Sequence, residues 1–178
     1  MDGVERVKRD DLARVIYQTS HLKGQFRLRS GGRATEYFDK YLLESEPIVL
    51  RAVIDALVPL IPPGVEVVAG LELGGVPIAT VLSQVTGLPA VFVRKVAKDY
   101  GTCKLAEGSE VKGKRVLVVE DVVTTGGQSV LSVQALRRLD AIVEHAICVI
   151  DRESGGREAL MAAGVKLTPL FQWSELAI

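Results

Sequence analysis

The stretch Val116 to Ser129, VLVVEDVVTTGGQS, constrains the fold more than any other part of the chain. Its first half is a β-branched apolar run without polar alternation, which reads as a buried strand of a parallel sheet. The run stops at two carboxylates, Glu120 and Asp121, and the small polar residues behind them read as a loop feeding a helix N-terminus. That arrangement suits a phosphate. Backbone N–H groups from Thr124 through Thr125, Gly126 and Gly127 can point at an anion, the glycines let its oxygens approach the main chain, and the helix dipole favours negative charge. Glu120 and Asp121 would repel the same phosphate. Their expected partners are ribose hydroxyls, from which they accept hydrogen bonds, or a Mg²⁺ held mainly by the ligand's phosphates. Hydroxyl acceptors beside a phosphate cradle suggest a ribose 5-phosphate. An acidic pair at a strand end is by itself commonplace turn chemistry, but the whole stretch is not. No Gly-x-x-x-x-Gly-Lys-Ser/Thr sequence competes with it, and Gly70 to Gly75, GLELGG, lacks the Gly-x-Gly-x-x-Gly spacing of a dinucleotide turn.

At 178 residues and 48% hydrophobic content, residues 1–178 can form one good α/β core, so a single domain is expected. Lys plus Arg equals Asp plus Glu at 22 each, which leaves no global basic field for nucleic acid or an anionic membrane. Any anion site must be local. The apolar stretches are strand-sized, short of the roughly 20 residues of a membrane span, and MDGVERVKRDD is too charged for a secretory signal. A cytoplasmic location is expected. Cys103 and Cys148 have neither metal-site spacing nor the count of a disulfide scaffold, and Cys148 within AICVI reads as a buried apolar residue.

Along the chain, Asp10 to Ser20 reads as an amphipathic helix with Leu12, Val15 and Ile16 on one side. GQFRLRSGGRATEYFD places Phe26 and Leu28 at strand period, breaks at Ser30-Gly31-Gly32 and resumes at Tyr37-Phe38, which predicts a hairpin. Pro47 opens a long helix that ends before Pro62-Pro63-Gly64. VEVVAG then reads as a strand, VPIATVLSQVTG as a helix closed by Gly87, and PAVFVRK as a strand. A polar loop from about Ala97 to Lys114 precedes the Val116 strand and its helix. IVEHAICVID, a helix from about Gly156 to Ala163, and a VKLTPLFQW strand complete the chain. This alternation predicts an α/β fold, a mostly parallel central sheet flanked by helices, with residues 1–45 as a small N-terminal region outside it.

Ligands bind such sheets at the carboxyl ends of the strands. Gly70 to Gly75, Arg94 and Lys95, Glu120 and Asp121, and Asp151 and Arg152 all fall at that edge. Singly, the cations are ordinary strand-end charges; together they define a site. The segment after Phe92 turns polar and glycine-containing from Lys98, which makes it a poor core element and a good mobile lid. If ribose is the group transferred, positive charge builds on it as diphosphate departs, and a lid carrying Lys95, Lys98 and Lys104 would exclude water and stabilise the leaving group.

The acidic pair, the aliphatic pair and the Thr-x-Gly turn resemble the phosphoribosyl-diphosphate signature of type I phosphoribosyltransferases. Arg94-Lys95-x-x-Lys98 with its glycine-bearing loop, Phe26-x-Leu28-x-Ser30-Gly31 leading to Tyr37-Phe38-Asp39, and Asp151-Arg152-Glu153 sharpen the resemblance to orotate phosphoribosyltransferases. The likeness runs from about Gly24 to Arg152. It implies transfer of ribose 5-phosphate from phosphoribosyl diphosphate to orotate, with Mg²⁺, giving orotidine 5′-monophosphate and diphosphate in pyrimidine synthesis. The same likeness implies that Glu120 and Asp121 hold the ribose hydroxyls, with Asp121 and Lys98 catalytic, and that Val123 to Gly127 cradle the 5′-phosphate. Arg94, Lys95 and Lys98 would bind diphosphate. Arg29, Tyr37, Phe38, Thr124 and Arg152 would face orotate, Arg152 pairing with its carboxylate. A homodimer is implied, with the lid closing over the neighbouring site and residues 1–45 forming a hood.

The chain departs from that family's pattern in places. Tyr100 stands where many members have histidine two residues after the lid lysine, and TCKLAEG replaces a glycine-rich form. Arg29 stands where lysine is frequent, Gly32 where a basic residue is frequent, and Gly74 where some members have a diphosphate-contacting lysine. Two alternatives remain open at the level of sequence: a transferase for another nucleobase, and a catalytically silent regulator that binds phosphoribosyl diphosphate and controls nucleic acid.

Overall fold

The structure is a computed structural model that describes residues 8–27, 31–96 and 105–176. The chain begins with helix α1 (Arg9–Ser20) and a hairpin of β1 (His21–Arg27) and β2 (Arg33–Phe38), paired antiparallel from His21 opposite Phe38 to Arg27 opposite Arg33. A short helix, α2 (Lys40–Ser45), follows directly. It starts there because Asp39 caps it, accepting a 3.1 Å hydrogen bond from the Tyr41 N–H. Helix α3 (Pro47–Leu57) starts on its proline, whose missing N–H is not needed in a first turn, and runs into a 3₁₀ turn at Val58–Leu60.

The remaining elements are β3 (Val67–Leu71), α4 (Gly75–Thr86), β4 (Ala90–Val93), β5 (Ala106–Gly108), β6 (Arg115–Val123), α5 (Gly127–Arg138), β7 (Ile142–Asp151), α6 (Gly156–Ala162), β8 (Lys166–Gln172) and α7 (Trp173–Leu176). Their strands form one sheet in the order β5-β4-β3-β6-β7-β8, parallel except for β5. Side chains alternate across it along β3, along β6 as far as Val119 and along β7 from Ala146 to Val149. Val68, Leu117, Val119, Ile147 and Val149 enter a core with α1, α3 and α4, while Val67, Ala69, Val116, Val118, Ala146 and Cys148 enter a second core with α5 and α6. Each strand is thus buried on both faces, as continuous apolar runs require. Arg137 of α5 fastens the second layer by donating to the carbonyls of Val143 at 2.5 Å and Ala163 at 2.7 Å.

The chain leaves β3 for β4 on one side and returns to lay β6 on the other. Strand order therefore reverses between β3 and β6, where an open parallel sheet offers a crevice. The pairing shows that crevice opening. β6 stays registered with β3 only as far as Gly70 opposite Val119, but continues beside β7 to Val123 opposite Asp151. α4 comes down into the fork because its first residue, Gly75, and Gly70 in the strand below carry no side chains. A Cβ on Gly75 would collide with the Val119 carbonyl oxygen, and one on Gly70 with the Gly75 carbonyl and Ala79.

Three details differ from the sequence reading. The strand does not stop at Glu120 and Asp121 but carries them inside its one-sided extension, because β7 still supplies a hydrogen-bonding partner there. The polar segment before it is not all loop: Ala106 to Gly108 pair with the exposed edge of β4, satisfying main-chain groups that would otherwise be left open. Helix α2 was unmarked, since six residues are too few to show a period. Leu28, Arg29, Lys98, Tyr100, Cys103 and Lys104 lie outside the described residues.

If close approach at the fork is what sets the α4 position, Gly75→Ala is expected to destabilise the fold by about 1–3 kcal/mol through overpacking. A melting curve should show the midpoint fall by several degrees, whereas Gly87→Asn at the α4 C-terminus, where φ is 76°, should leave it nearly unchanged.

Candidate active site

Everything chemical gathers where β6 outruns β3. Asp121 is almost wholly buried, at 1% exposure. Its Oδ1 accepts from the Val122 N–H at 2.6 Å, and its Oδ2 lies 2.6 Å from Lys40 Nζ. Lys40 comes from α2, so the segment outside the main sheet delivers a cation to the carboxylate at its centre. Burial works against the lysine's charge, but the Asp121 charge and hydrogen bond outweigh it and hold the Lys40 pKa above its ordinary value. Glu44 lies one turn further along the same helix face and is buried against Asp121. Burial first, then the Asp121 charge, pushes the Glu44 carboxyl up to about 8, so it is a neutral donor toward Asp121 over most of the physiological range. Gly74 makes this cluster possible, because a Cβ there would sit on Asp121 Oδ2 and press on Glu44 Oε1. The sequence reading noted only that Gly74 lacks a lysine. In the structure, the space of that side chain is filled by Asp121 with Lys40 behind it.

Glu120 points the other way along the strand, toward α5. Ser129 Oγ donates to its Oε1 at 2.9 Å. Burial and the Asp121 charge raise the Glu120 carboxyl to about 7, while the Ser129 hydrogen bond, Lys40 and Lys95 pull it down. The two acidic neighbours therefore sit in different environments. One is paired with a lysine; the other is held by a hydroxyl and is half-protonated near neutrality.

Beyond Val123 the chain turns over Thr124 and Thr125, both exposed, and enters α5 through Gly126 at φ 74°. No side chain caps that helix. The N–H groups of Thr124, Thr125, Gly126 and Gly127 find no acceptor among the described residues. Gly126 also lets α6 approach, since its missing Cβ would otherwise lie 2.9 Å from the Gly156 carbonyl oxygen. The result is an open, uncapped helix end next to a carboxylate pair, built for an anion.

On the far side of the fork, Arg94 is tied by its N–H to the Leu105 carbonyl at 2.9 Å, and its buried Nε has no acceptor among the described residues. The Lys95 N–H donates to Glu72 Oε2 at 3.1 Å, leaving its ammonium exposed. The Glu72-Leu73 peptide bond that joins this side to Gly74 is cis.

Arg152 closes the site from the end of β7. Its N–H donates to the Val123 carbonyl at 2.8 Å, which fixes it beside the Thr124 turn. Its guanidinium lies 3.7 Å over the ring of Trp173, and Trp173 meets Phe38 edge to face at 5.2 Å. No carboxylate pairs with Arg152 among the described residues, and burial lowers its pKa from the ordinary value. Tyr37 and Phe38, adjacent on β2, necessarily point to opposite faces: Phe38 toward Trp173, and Tyr37 outward to stack on Phe26 at 5.4 Å.

The structure thus places Arg94, Lys95, Glu120, Asp121, Val123 to Gly127, Phe38 and Arg152 around one crevice, with Tyr37 turned away from it. Sequence reasoning missed Lys40, Glu44 and Trp173. Lys40 and Glu44 carried a usable signal in their i, i+4 spacing directly after Asp39, and Trp173 in standing at the carboxyl end of the last strand.

Residues 47–173 match the phosphoribosyl transferase domain family, and the chain belongs to it. Within that family its likeness is to orotate phosphoribosyltransferases. The enzyme of that name from Nocardioides sp. is 51% identical over 165 residues, covering 93% of this chain and 92% of the relative. That of Methanocella arvoryzae is 45% identical over 167 residues, covering 93% and 95%. A crystal structure of Mycobacterium tuberculosis orotate phosphoribosyltransferase in complex with 5-phospho-α-D-ribosyl 1-diphosphate superposes with a TM-score of 0.82 at 31% identity, covering 96% of this chain and 99% of that one.

The raised carboxyls make stability depend on pH. In the folded chain Glu120 keeps its proton to about 7 and Glu44 to about 8, against an ordinary value of 4.5. The folded state therefore binds more protons than the unfolded state across that window, so stability of the ligand-free protein should fall as pH rises from about 4.5 and level off above about 8. Glu44→Gln should remove its share and leave a shallower descent that ends near 7, as read by denaturant titration at a series of pH values.

Proposed function

We propose that the chain transfers ribose 5-phosphate from phosphoribosyl diphosphate to orotate, giving orotidine 5′-monophosphate and diphosphate in pyrimidine nucleotide synthesis. The observation that carries the choice of base is Arg152: a half-buried guanidinium beside the cradle, uncompensated by a carboxylate among the described residues, with one face covered by Trp173. Its donors are left for an acceptor in its own plane. Orotate has a carboxylate that fits them; uracil and the purines do not.

The rest follows from charge and position. The free N–H groups from Thr124 to Gly127 take the 5′-phosphate, with Val123 fixing the turn's start. Glu120 and Asp121 accept from the ribose hydroxyls and stabilise the positive charge that develops on the sugar as the bond from C1 to diphosphate breaks and the bond to the base nitrogen forms. Lys40 holds Asp121 in an ion pair at the open edge, in place for the sugar. Arg94 and Lys95, across the fork, face the leaving diphosphate. No covalent intermediate on the protein is needed, since holding sugar and base in line and screening the charges accounts for the acceleration.

Mg²⁺ fits this site as an ion brought in by the substrate. Among the described residues no group of three or more His, Cys, Asp or Glu could hold an ion, so phosphate oxygens would supply most of its ligands, with Glu120 and Asp121 nearest. When bound it neutralises charge on the departing diphosphate. Lys98, with Arg29 on the hood, belongs to this reading through the family likeness: Lys98 on a lid that closes over the neighbouring subunit's site in a homodimer, Arg29 toward orotate. Both substrates are anions, and phosphoribosyl diphosphate is a polyanion that does not cross a bilayer unaided, which supports a cytoplasmic location; no described helix is long and apolar enough to cross a membrane. Equal numbers of acidic and basic residues support an enzyme of small anions over a nucleic-acid regulator.

The first test is Mg²⁺-dependent loss of orotate absorbance in the presence of phosphoribosyl diphosphate, with uracil, adenine, hypoxanthine and xanthine assayed for product. Loss of orotate alone is expected; turnover of another base would overturn the assignment of Arg152. Arg152→Ala should raise the KM for orotate about 10- to 100-fold, the loss of a charge-assisted pair, and leave the KM for phosphoribosyl diphosphate unchanged. Lys98→Ala and Asp121→Asn should each be nearly inactive alone. Mixed and allowed to exchange subunits, they should regain activity, and no recovery despite confirmed exchange would place the lid within its own subunit.

A further inference from the structure

The contact that holds the Arg152 guanidinium, as distinct from its main chain, is not made by its own strand or by the cradle. It comes from the start of α7, at the far end of the chain. Trp173 lies under the guanidinium at 3.7 Å, and it also meets Phe38 edge to face at 5.2 Å. Next to it, Ser174 binds the residue after Arg152: its N–H donates to Glu153 Oε2 at 2.8 Å and its Oγ donates to Glu153 Oε1 at 3.1 Å. Both oxygens of the Glu153 carboxylate are thereby occupied. The Glu153 N–H donates to Asp151 Oδ1 at 3.0 Å, and the residue takes a left-handed backbone at φ 55°, an uncommon conformation for a residue with a Cβ. The other nearby acid, Asp151, is buried and faces Arg157 at 3.5 Å.

These contacts have a common effect. Two carboxylates flank Arg152 in sequence, and either could neutralise it. Asp151 is turned to Arg157, and Glu153 is turned to Ser174, so the guanidinium is left for a ligand. A flexible arginine on a loop would give up much of its pairing energy in side-chain entropy; one laid flat on an indole has fewer orientations to lose. The indole also dries one face of the guanidinium, which strengthens its attraction for an anion approaching the edge.

Resting on the orotate reading above, we infer that Trp173, with Ser174, is a specificity-positioning element: Trp173 holds the Arg152 guanidinium flat and oriented for the base carboxylate, while Ser174 keeps Glu153 from occupying it. Through Phe38 the same indole connects the hairpin to the base end of the site, so Trp173 joins the N-terminal hood, β7 and the C-terminal helix at one point.

Trp173 is the single tryptophan of the chain, which makes the test direct. Its fluorescence is titrated with orotidine 5′-monophosphate and with uridine 5′-monophosphate, which differ only by the carboxylate, with correction for absorption by each nucleotide. Orotidine 5′-monophosphate should change the emission, uridine 5′-monophosphate should change it much less, and Arg152→Ala should abolish the difference. Equal responses to the two nucleotides would overturn the inference. In turnover, Trp173→Ala should raise the KM for orotate at least tenfold, with a smaller change in kcat and none in the KM for phosphoribosyl diphosphate. Trp173→Phe, which keeps an aromatic face, should recover most of the loss. Because the indole acts through Arg152, adding Trp173→Ala to Arg152→Ala should raise the KM no further. Independent, multiplying losses would refute the positioning role, as would a fully folded Trp173→Ala protein with an unchanged KM for orotate. Failure of the wild-type protein to consume orotate would instead overturn the functional reading, and this inference with it; consumption of orotate with no response at Trp173 overturns the inference alone.

Discussion

The site depends on one asymmetry of hydrogen bonding. β6 is paired on both sides as far as Val119, and on one side only from there to Val123. Had β3 followed it to the end, the main-chain groups around Glu120 and Asp121 would be sealed inside a sheet with no room for a ligand. Had β7 also parted at Val119, the two carboxylates would hang on a loop. Pairing on one side holds the backbone rigid while leaving the other open, and the opening is wedged by the first turn of α4, which the bare Gly70 and Gly75 admit to the sheet. Rigid backbone at an open edge is the condition under which charged groups can be held in place for chemistry.

That opening creates an electrostatic problem. Two adjacent carboxylates in a poorly hydrated crevice repel each other, and burial disfavours both charges. The fold separates their environments. Asp121 receives Lys40, and Glu44 beside it stays neutral to about 8, adding a donor in place of a third charge. Glu120 receives the Ser129 hydroxyl, titrates near 7 and has no lysine of its own within ion-pair distance among the described residues. The α5 side presents main-chain dipoles, which carry no counter-charge that could collapse onto the acids. Cations stand apart, at the end of β4 and of β7. Apart from the Lys40–Asp121 pair, opposite charges are kept far enough apart to leave room for a ligand that carries both hydroxyls and phosphates.

The hood and the C-terminus take part in this arrangement more closely than their distance in sequence suggests. α2 supplies Lys40 and Glu44 to the acid pair, and Phe38 leans on Trp173, which in turn carries Arg152. Arg9 at the start of α1 donates to Glu175 at 2.7 Å and to the Leu170 carbonyl at 2.8 Å, tying the two ends of the chain behind the site. The N-terminal segment therefore meets the acid pair directly and Arg152 through one indole.

The sequence by itself determined those features that follow from short-range order. The unbroken Val116 to Val119 run could be buried only in a sheet covered on both sides, the Thr-Thr-Gly-Gly turn marked the entry to a helix, and the βα alternation set the strands parallel; hence the fold class, the uncapped start of α5 and the strand-end positions of Glu120, Asp121 and Arg152 were legible. Helix α2, the short β5 strand, and the roles of Lys40, Glu44 and Trp173 were not. Six residues show no period, three residues become a strand only when an edge needs pairing, and a lysine about 80 positions before an aspartate carries no mark of their meeting. Nor could the chain declare which side of β6 would stay open, since that follows from β3 turning away at the reversal of strand order. Local sequence chose the chemical groups; the tertiary structure decided their partners, their protonation and which of them a ligand can reach, because those depend on burial and on contacts that only the folded chain brings within a few ångströms.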